Sequence, residues 1–325
     1  MVKDGNVTGT YTGNRNYTGR CNFTGGVLGM GVQVVKNSQI WYVDKNSGLD
    51  SSGDGLSWDT AFLTITEAIA AAGDYDIVFV GHGIYNEATF PLTITQAGLK
   101  LIGAGSTGYN WGPCSLKSSA SADTLIEVDA SGVEICGLGF NCYTSGKSGI
   151  VVAASQSVYR THIHDCFFGC AGAGGTEGEC GIAIGCDETG AQSGDYDAVD
   201  THVERCGFHY LAMGACVVFG TRTKINNCYI NVSNGGSATG INFTAEGADR
   251  APNMAVDNYL IGRNGGTGIK IASTEPTNGT LLVANNVVTY CTTNITQDKS
   301  NEGVVNNGTY GNGASPVIVD SMAAG

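Results

Sequence analysis

Proline is scarce in this 325-residue chain, at 5 residues, and charged side chains make up only 14% of it. With so little proline and no Gly-x-y period, a collagen-like triple helix is excluded. The shortage of Lys, Arg, Glu and Asp leaves too few helix formers for a helical protein. There is no run of Lys or Arg, and the formal net charge is -13. A nucleic-acid partner needs a basic patch, so none is expected. The opening MVKDGNVTGTYTG has no apolar core, so no signal peptide is expected. Nor is any apolar run long enough to span a membrane, so no membrane insertion is expected. The 12 cysteines contain no CxxC pair, which removes support for a zinc ribbon. They read instead as small buried apolar residues.

Glycine is abundant, at 50 residues, and hydrophobic residues reach 42%. That is too apolar for general disorder and fits many short strands joined by turns. Residues 1–38 stand apart as an extended arm. Val7, Tyr11, Tyr17 and Phe23 each precede Thr-Gly. Such spaced aromatic and β-branched residues suggest short extended pieces separated by turns. Packing on a partner subunit or assembly surface, packing on the chain itself, and disorder all remain open for this arm. Beyond it, IWYV reads as a strand. The segment AFLTITEAIAAAG then predicts a helix over 62–72, with Phe62, Ile65, Ala68, Ile69 and Ala72 on one face and Gly73 as its stop. A lone helix before a strand-rich chain is expected to cap the end of a solenoid.

From residue 135 one pattern returns: ICGLGF, IHDCFF, VERCGF, INNCYI, VDNYLI and VANNVV, starting at Ile135, Ile163, Val203, Ile225, Val256 and Val283. Between these lies a second set: GIVV at Gly149, GIAI at Gly181, CVVF at Cys216, GINF at Gly240, GIKI at Gly268 and GVVN at Gly303. Two interleaved strand signals with loops of unequal length describe the coils of a β-solenoid. Together with IWYVDKNSGLDSSGDGLSWDTAFLTITEAIAAA, VFVGHGIYNE and LKLIGAG, they resemble the pectin-lyase-like right-handed parallel β-helix superfamily over about residues 39–318. The resemblance implies an all-β, single-stranded right-handed parallel β-helix over 39–325, capped by the helix. It also implies a stacked turn position, often Asn, three residues after the first apolar residue of each segment. Asn286 matches that position. Leu138, Cys166, Cys206, Cys228 and Tyr259 stand in it as departures.

This register sorts the tempting stretch THIHDCFFGC. Ile163, Cys166 and Phe168 face the core, while His162, His164 and Asp165 face out. Glu134, His162, His202 and Lys224 form one outer column. Cys136, His164, Glu204, Asn226 and Asp257 form a second. Strands about 4.8 Å apart bring His162 to His202 and His164 to Glu204. The chief expectation is an exposed ladder of polar pairs, with His162 and His202 as metal candidates. DKNSGLDSSGDG offers Asp44, Asn46, Asp50 and Asp54 as oxygen ligands for Ca²⁺, although it misses the EF-hand pattern because Leu49 and Gly55 stand at its sixth and twelfth positions. Apart from that loop, no cofactor is expected. If the chain cuts polysaccharide, the acid/base candidates are Asp195, Asp197, Asp200 and Glu204, with Arg205 beside them, since hydrolysis needs paired carboxylates.

The superfold hosts lyases, hydrolases, tailspikes and adhesins, so the resemblance leaves function open. The leading expectation is a non-enzymatic structural protein of a virus or phage particle, a capsid decoration or spike. It would assemble in the host cytoplasm as a homotrimer, with the arm bound to a capsid or tail protein. The alternative is a spike that binds or depolymerises cell-surface polysaccharide through its acidic loops.

Overall fold

The computed structural model describes residues 38–310, except 50–51, 106–113, 118–123, 142–146, 154, 170–179, 187–195, 212–213, 233–237, 245–252, 263–265, 272–280, 298–302 and 306. The arm with Tyr11, Tyr17 and Phe23 lies outside the described residues.

Three long parallel sheets, of ten, nine and eight strands, run the length of the molecule. Each coil contributes one strand to each sheet in turn, as Glu134–Cys136, Gly139–Asn141 and Ser148–Val152 do. The result is a right-handed parallel β-helix. Because the pairing is parallel and in register, equivalent residues stack in columns about 4.8 Å apart.

Alternation decides which columns face inward. Ile135, Ile163, Val203, Ile225, Ala255 and Val283 form one fully buried column of the first sheet. Phe140, Phe168 and Phe208 stack in the second sheet. Ile150, Ile182, Cys216, Ile241 and Ile269 do the same in the third. All of these side chains join one continuous core.

Between the first and second sheets the chain turns through one left-handed residue. Gly137 (φ 67), Asp165 (φ 52), Arg205 (φ 49), Asn227 (φ 54), Asp257 (φ 58) and Asn285 (φ 55) repeat that conformation. Non-glycine residues adopt it with strain, and Asn and Asp tolerate it best. The residue after each of them points inward, giving the column Leu138, Cys166, Cys206, Cys228, Asn258 and Asn286, which Asn307 continues. Here the sequence register slips by one residue. Asn258, not Tyr259, occupies the turn column, and its Oδ1 accepts from the Cys228 N–H at 3.0 Å. Tyr259 pairs with Tyr229 and is 41% exposed. The inward residue of that coil is therefore Ala255, not Val256, and Val256 rather than Asp257 continues the outer column beyond Asn226. The slip arises because alanine gives a weaker apolar signal than the neighbouring valine, although only its small side chain points into the core.

The helix covers Ile65–Ala71 rather than 62–72. Thr64 caps it in a reciprocal box with Glu67. The buried Glu87 carboxylate accepts from the N–H groups of Ile65 and Thr66 at 3.0 and 3.2 Å. Phe62 is excluded because its backbone is extended: its N–H donates to the Tyr42 carbonyl, and its own carbonyl accepts from Asp44 N–H. Ile65, Ala68 and Ile69 bury one helix face in the same core as Val43 and Val78, closing the first coil. No helix among the described residues is long and apolar enough to cross a membrane.

Candidate functional site

The outer face of the first sheet changes character along its length. Near the helix it is apolar, with Tyr42, Phe79 and Ile102 in consecutive strands. Over the strands Glu134–Cys136, His162–His164 and His202–Glu204 it becomes a compact ionisable patch. Register places Glu134, His162, His202 and Lys224 side by side, with Cys136, His164, Glu204 and Asn226 beside them.

Within this patch the side chains pack rather than wave freely. The His162 and His202 rings stack at 5.0 Å and 9°, and His162 also meets His164 at 4.3 Å. The expected His164–Glu204 pair is replaced by a diagonal exchange. His164 Nε2 lies 3.1 Å from Glu134 Oε1, and its Nδ1 lies 2.6 Å from Asp165 Oδ2. Glu204 instead turns to His162 Nε2 at 3.4 Å and His202 Nε2 at 3.7 Å. Arg205 binds Asp165 through Nε and an Nη at 2.9 and 2.8 Å and reaches Glu204 at 2.5 Å. Lys100 holds the other Glu134 oxygen at 2.5 Å. The reason for the exchange is local. The left-handed turn residues Asp165 and Arg205 swing their side chains back over the sheet, and each draws in the strand residue before it.

These contacts set the charges. Hydrogen bonding to His164, then to Lys100, holds Glu134 down at about 2 against the opposing effect of burial. Arg205 holds Asp165 at about 2. Burial opposes ionisation of Glu204, but the hydrogen bond and charge of Arg205, with both histidines, keep it below its usual range. His164 is pushed up to about 10 by hydrogen bonds to Cys136 and Glu134, with Asp165 adding to them. His162 moves down, because burial and the neighbouring charges of His164 and His202 all disfavour its protonated form.

A pH dependence follows. Glu134 and Asp165 are depressed from 4.5 and 3.8, so their stabilisation is present above those values and is lost as the pH falls toward about 2. His164 is raised from 6.5, so its contribution is complete below 6.5 and disappears as the pH rises through about 10. Comparing thermal midpoints of the native protein and His164→Gln in chelator should show a gap that narrows steadily over that alkaline range. Thiol ionisation in the unfolded chain affects both proteins alike and cancels in the difference. A gap that stays constant would remove His164 from the network.

The other sequence candidates lie elsewhere. Asp200 sits in a left-handed turn ahead of its strand and makes a two-point pair with Arg222 at 2.6 and 2.8 Å, which lowers its pKa. Asp197 pairs through its backbone N–H with the Ser157 hydroxyl, and Asp195 is outside the described residues. Asp197 and Asp200 are thus not drawn into the Glu204–Arg205 cluster by any of these bonds. In the acidic loop, Asp44 accepts from Asn46 N–H and the Ser47 hydroxyl, while Asp54 accepts from Leu56 N–H and the Thr60 hydroxyl. Asn46 donates to the His82 carbonyl, and Asp50 lies outside the description. Asp44 and Asp54 therefore close two separate local turns.

Sequence reasoning passed over Glu127 in the strand Ile126–Val128. Among the described carboxyl groups it is the one pushed upward, by burial first and then by Asp129. The signal was a lone acidic residue on the outer side of an otherwise apolar strand.

This architecture is the pectin-lyase-like right-handed parallel β-helix. No protein-family model matches the sequence, and no curated protein does. Among solved structures, the pectate lyase Pel9A is similar at 13% identity and a TM-score of 0.51, over 84% of this chain and 80% of that one. The Dettilon tailspike protein is similar at 14% identity and a TM-score of 0.50, over 84% of this chain and 55% of the tailspike. At such identities the likeness is one of fold.

Proposed function

We propose that this chain is a non-enzymatic structural protein of a virus or phage particle, a decoration or spike whose β-helix projects from the surface. In this reading residues 1–38 form the anchor to a capsid or tail protein, and the assembled unit is a homotrimer. The observation that carries the proposal is the state of the ionisable patch. Glu134, Asp165 and Glu204 are each committed to a cation, and all three are held below their ordinary pKa. Carboxylates in that state stabilise stacked coils but hold no proton to give to a leaving group. The tailspike with the same fold adds support from a particle protein.

A second reading rests on Glu127, whose carboxyl is pushed upward by burial first and then by Asp129, the direction a general acid requires. In this reading the chain acts on a cell-surface polysaccharide.

The purified full chain should release no reducing ends and no unsaturated uronates from a panel of capsular and pectic polysaccharides. Release that is abolished by Glu127→Gln would overturn the structural reading in favour of the enzyme. In the producing virus, a chain lacking residues 1–36 should remain folded yet be missing from purified particles. Normal incorporation would reject the anchor.

A further inference from the structure

We propose that His162, His202 and Glu204 form a binding site for a divalent transition-metal ion of the zinc type. The site clamps two neighbouring coils through two imidazole nitrogens and one carboxylate, with its remaining position open to solvent. It stands on the geometry of the first sheet and is independent of the function proposed above.

The ligand atoms of these three residues all lie within 4.8 Å of one another. Glu204 sends one oxygen to each ring, 3.4 Å from His162 Nε2 and 3.7 Å from His202 Nε2. Two donors on a tetrahedral zinc with bonds of about 2.0–2.1 Å stand about 3.4 Å apart. The His162 separation is therefore at the edge of a coordination tetrahedron, and the His202 separation, to the other carboxylate oxygen, closes to it as the ring turns out of its 9° stack on His162. Backbone pairing fixes His162 opposite His202, with Glu204 two residues along the strand from His202, so the spacing is set by the sheet and not by a loop.

A second observation points to a ligand. His162 Nε2 is buried yet makes no hydrogen bond. Its 3.4 Å approach to Glu204 is an ionic distance without hydrogen-bond geometry. A buried polar atom left unpaired is costly, and a metal ion satisfies a ring nitrogen aimed at a carboxylate. Supporting contacts surround the site as they do around known metal ligands. Arg205 orients Glu204 and is itself fixed on Asp165. His202 would exchange its bond to Asn226 Oδ1 for the ion. Two nitrogens and one carboxylate favour zinc, nickel or copper over calcium and magnesium, which take oxygen ligands.

The neighbouring group of Glu134, Cys136 and His164 is also compact, but both ring nitrogens of its histidine and both oxygens of its glutamate are taken, whereas His162 Nε2 makes no hydrogen bond. Lys100 holds one Glu134 oxygen and His164 the other, and Asp165 takes the second ring nitrogen. The test has to separate the two groups.

The full chain, stripped with chelator, should bind one Co²⁺ with the visible absorption of a four-coordinate ion and no thiolate charge-transfer band. Zn²⁺ should displace it. His162→Gln and His202→Gln should each weaken binding at least about tenfold, while Cys136→Ser and the remote His82→Gln leave it unchanged. Circular dichroism checks that every variant is folded. Absence of binding at millimolar Zn²⁺ overturns the proposal. So does unchanged affinity in the two histidine variants, or a charge-transfer band that vanishes in Cys136→Ser.

Discussion

Replacing Phe168 with alanine should lower the unfolding free energy by about 3–5 kcal/mol, the usual cost of emptying a buried aromatic site. The ring is fully buried and lies between Phe140 at 4.6 Å and Phe208 at 4.9 Å, nearly parallel to both. The variant loses two stacking contacts at once, each worth about 0.5–1.5 kcal/mol beyond the area they cover. The cavity also cannot close. Coil spacing is fixed by backbone hydrogen bonds on either side, so Phe140 and Phe208 cannot slide together to fill it. Tyr259→Ala supplies the comparison. That ring also stacks, at 5.6 Å on Tyr229, but on the outside and 41% exposed, so its removal should cost less than about 1 kcal/mol. Urea denaturation would compare the two, with a fall in midpoint at unchanged slope as the signature of lost stability. Equal costs for the two variants would mean that the phenylalanine stack is not the core element described here.

Much of this fold was legible because a parallel solenoid writes its register directly into the sequence. Where the inward residues were Ile, Val and Phe around a Cys, as at Ile163, Cys166 and Phe168, the columns could be read without ambiguity. The reading failed at Ala255, where the core-facing residue is small and its outward neighbour Val256 is larger. In a strand a one-residue slip exchanges the two faces. That slip put Tyr259 inside and left Asn258 unnoticed, and Asn307 was missed in a coil whose inward signal is short.

The candidate site was legible only to the level of the backbone. Pairing fixed His162 beside His202, but which carboxylate each histidine touches depends on where the turn residues Asp165 and Arg205 aim their side chains. The start of the helix was misplaced for a related reason. Phe62 has the right spacing for a helical face, yet the capping signal of Thr64 and Glu67 marks the true boundary. The second cap, Glu87, comes from a later part of the chain that no local pattern reveals.

The asparagine column allows the strongest polar test, Asn286→Ala. Oδ1 of Asn286 accepts from both the backbone N–H and the side-chain amide of Asn258, each at 3.0 Å. Its Nδ2 donates to the Ala255 carbonyl at 2.8 Å and to Asn307 Oδ1 at 2.9 Å. All of this lies in the interior, and Asn286 itself has no exposed surface. Truncation leaves the buried Asn258 N–H without its acceptor, at about 1–3 kcal/mol, and takes one donor each from the Ala255 carbonyl and Asn307 Oδ1. The expected total loss is about 3–5 kcal/mol once the cavity is added. Cys206→Ala, in the same column, should be much milder at about 1–2 kcal/mol. Its sulfur meets the Ile163 carbonyl at 3.8 Å and the Glu204 carbonyl at 3.4 Å, and a thiol is a weak donor. Hydrogen exchange makes the two cases separable residue by residue. In Asn286→Ala the amide of Asn258 should exchange far faster than in the native protein, while in Cys206→Ala it should keep its protection. The difference has a physical origin in the side-chain amide. It repeats the donor and acceptor of a peptide group, so stacked asparagines add a further hydrogen-bonded ladder inside the turn. Cysteine in the same place supplies only volume and a weak contact. If both substitutions cost the same and neither exposes the Asn258 amide, the column holds the turn by packing alone, and the hydrogen-bonded ladder contributes nothing to stability.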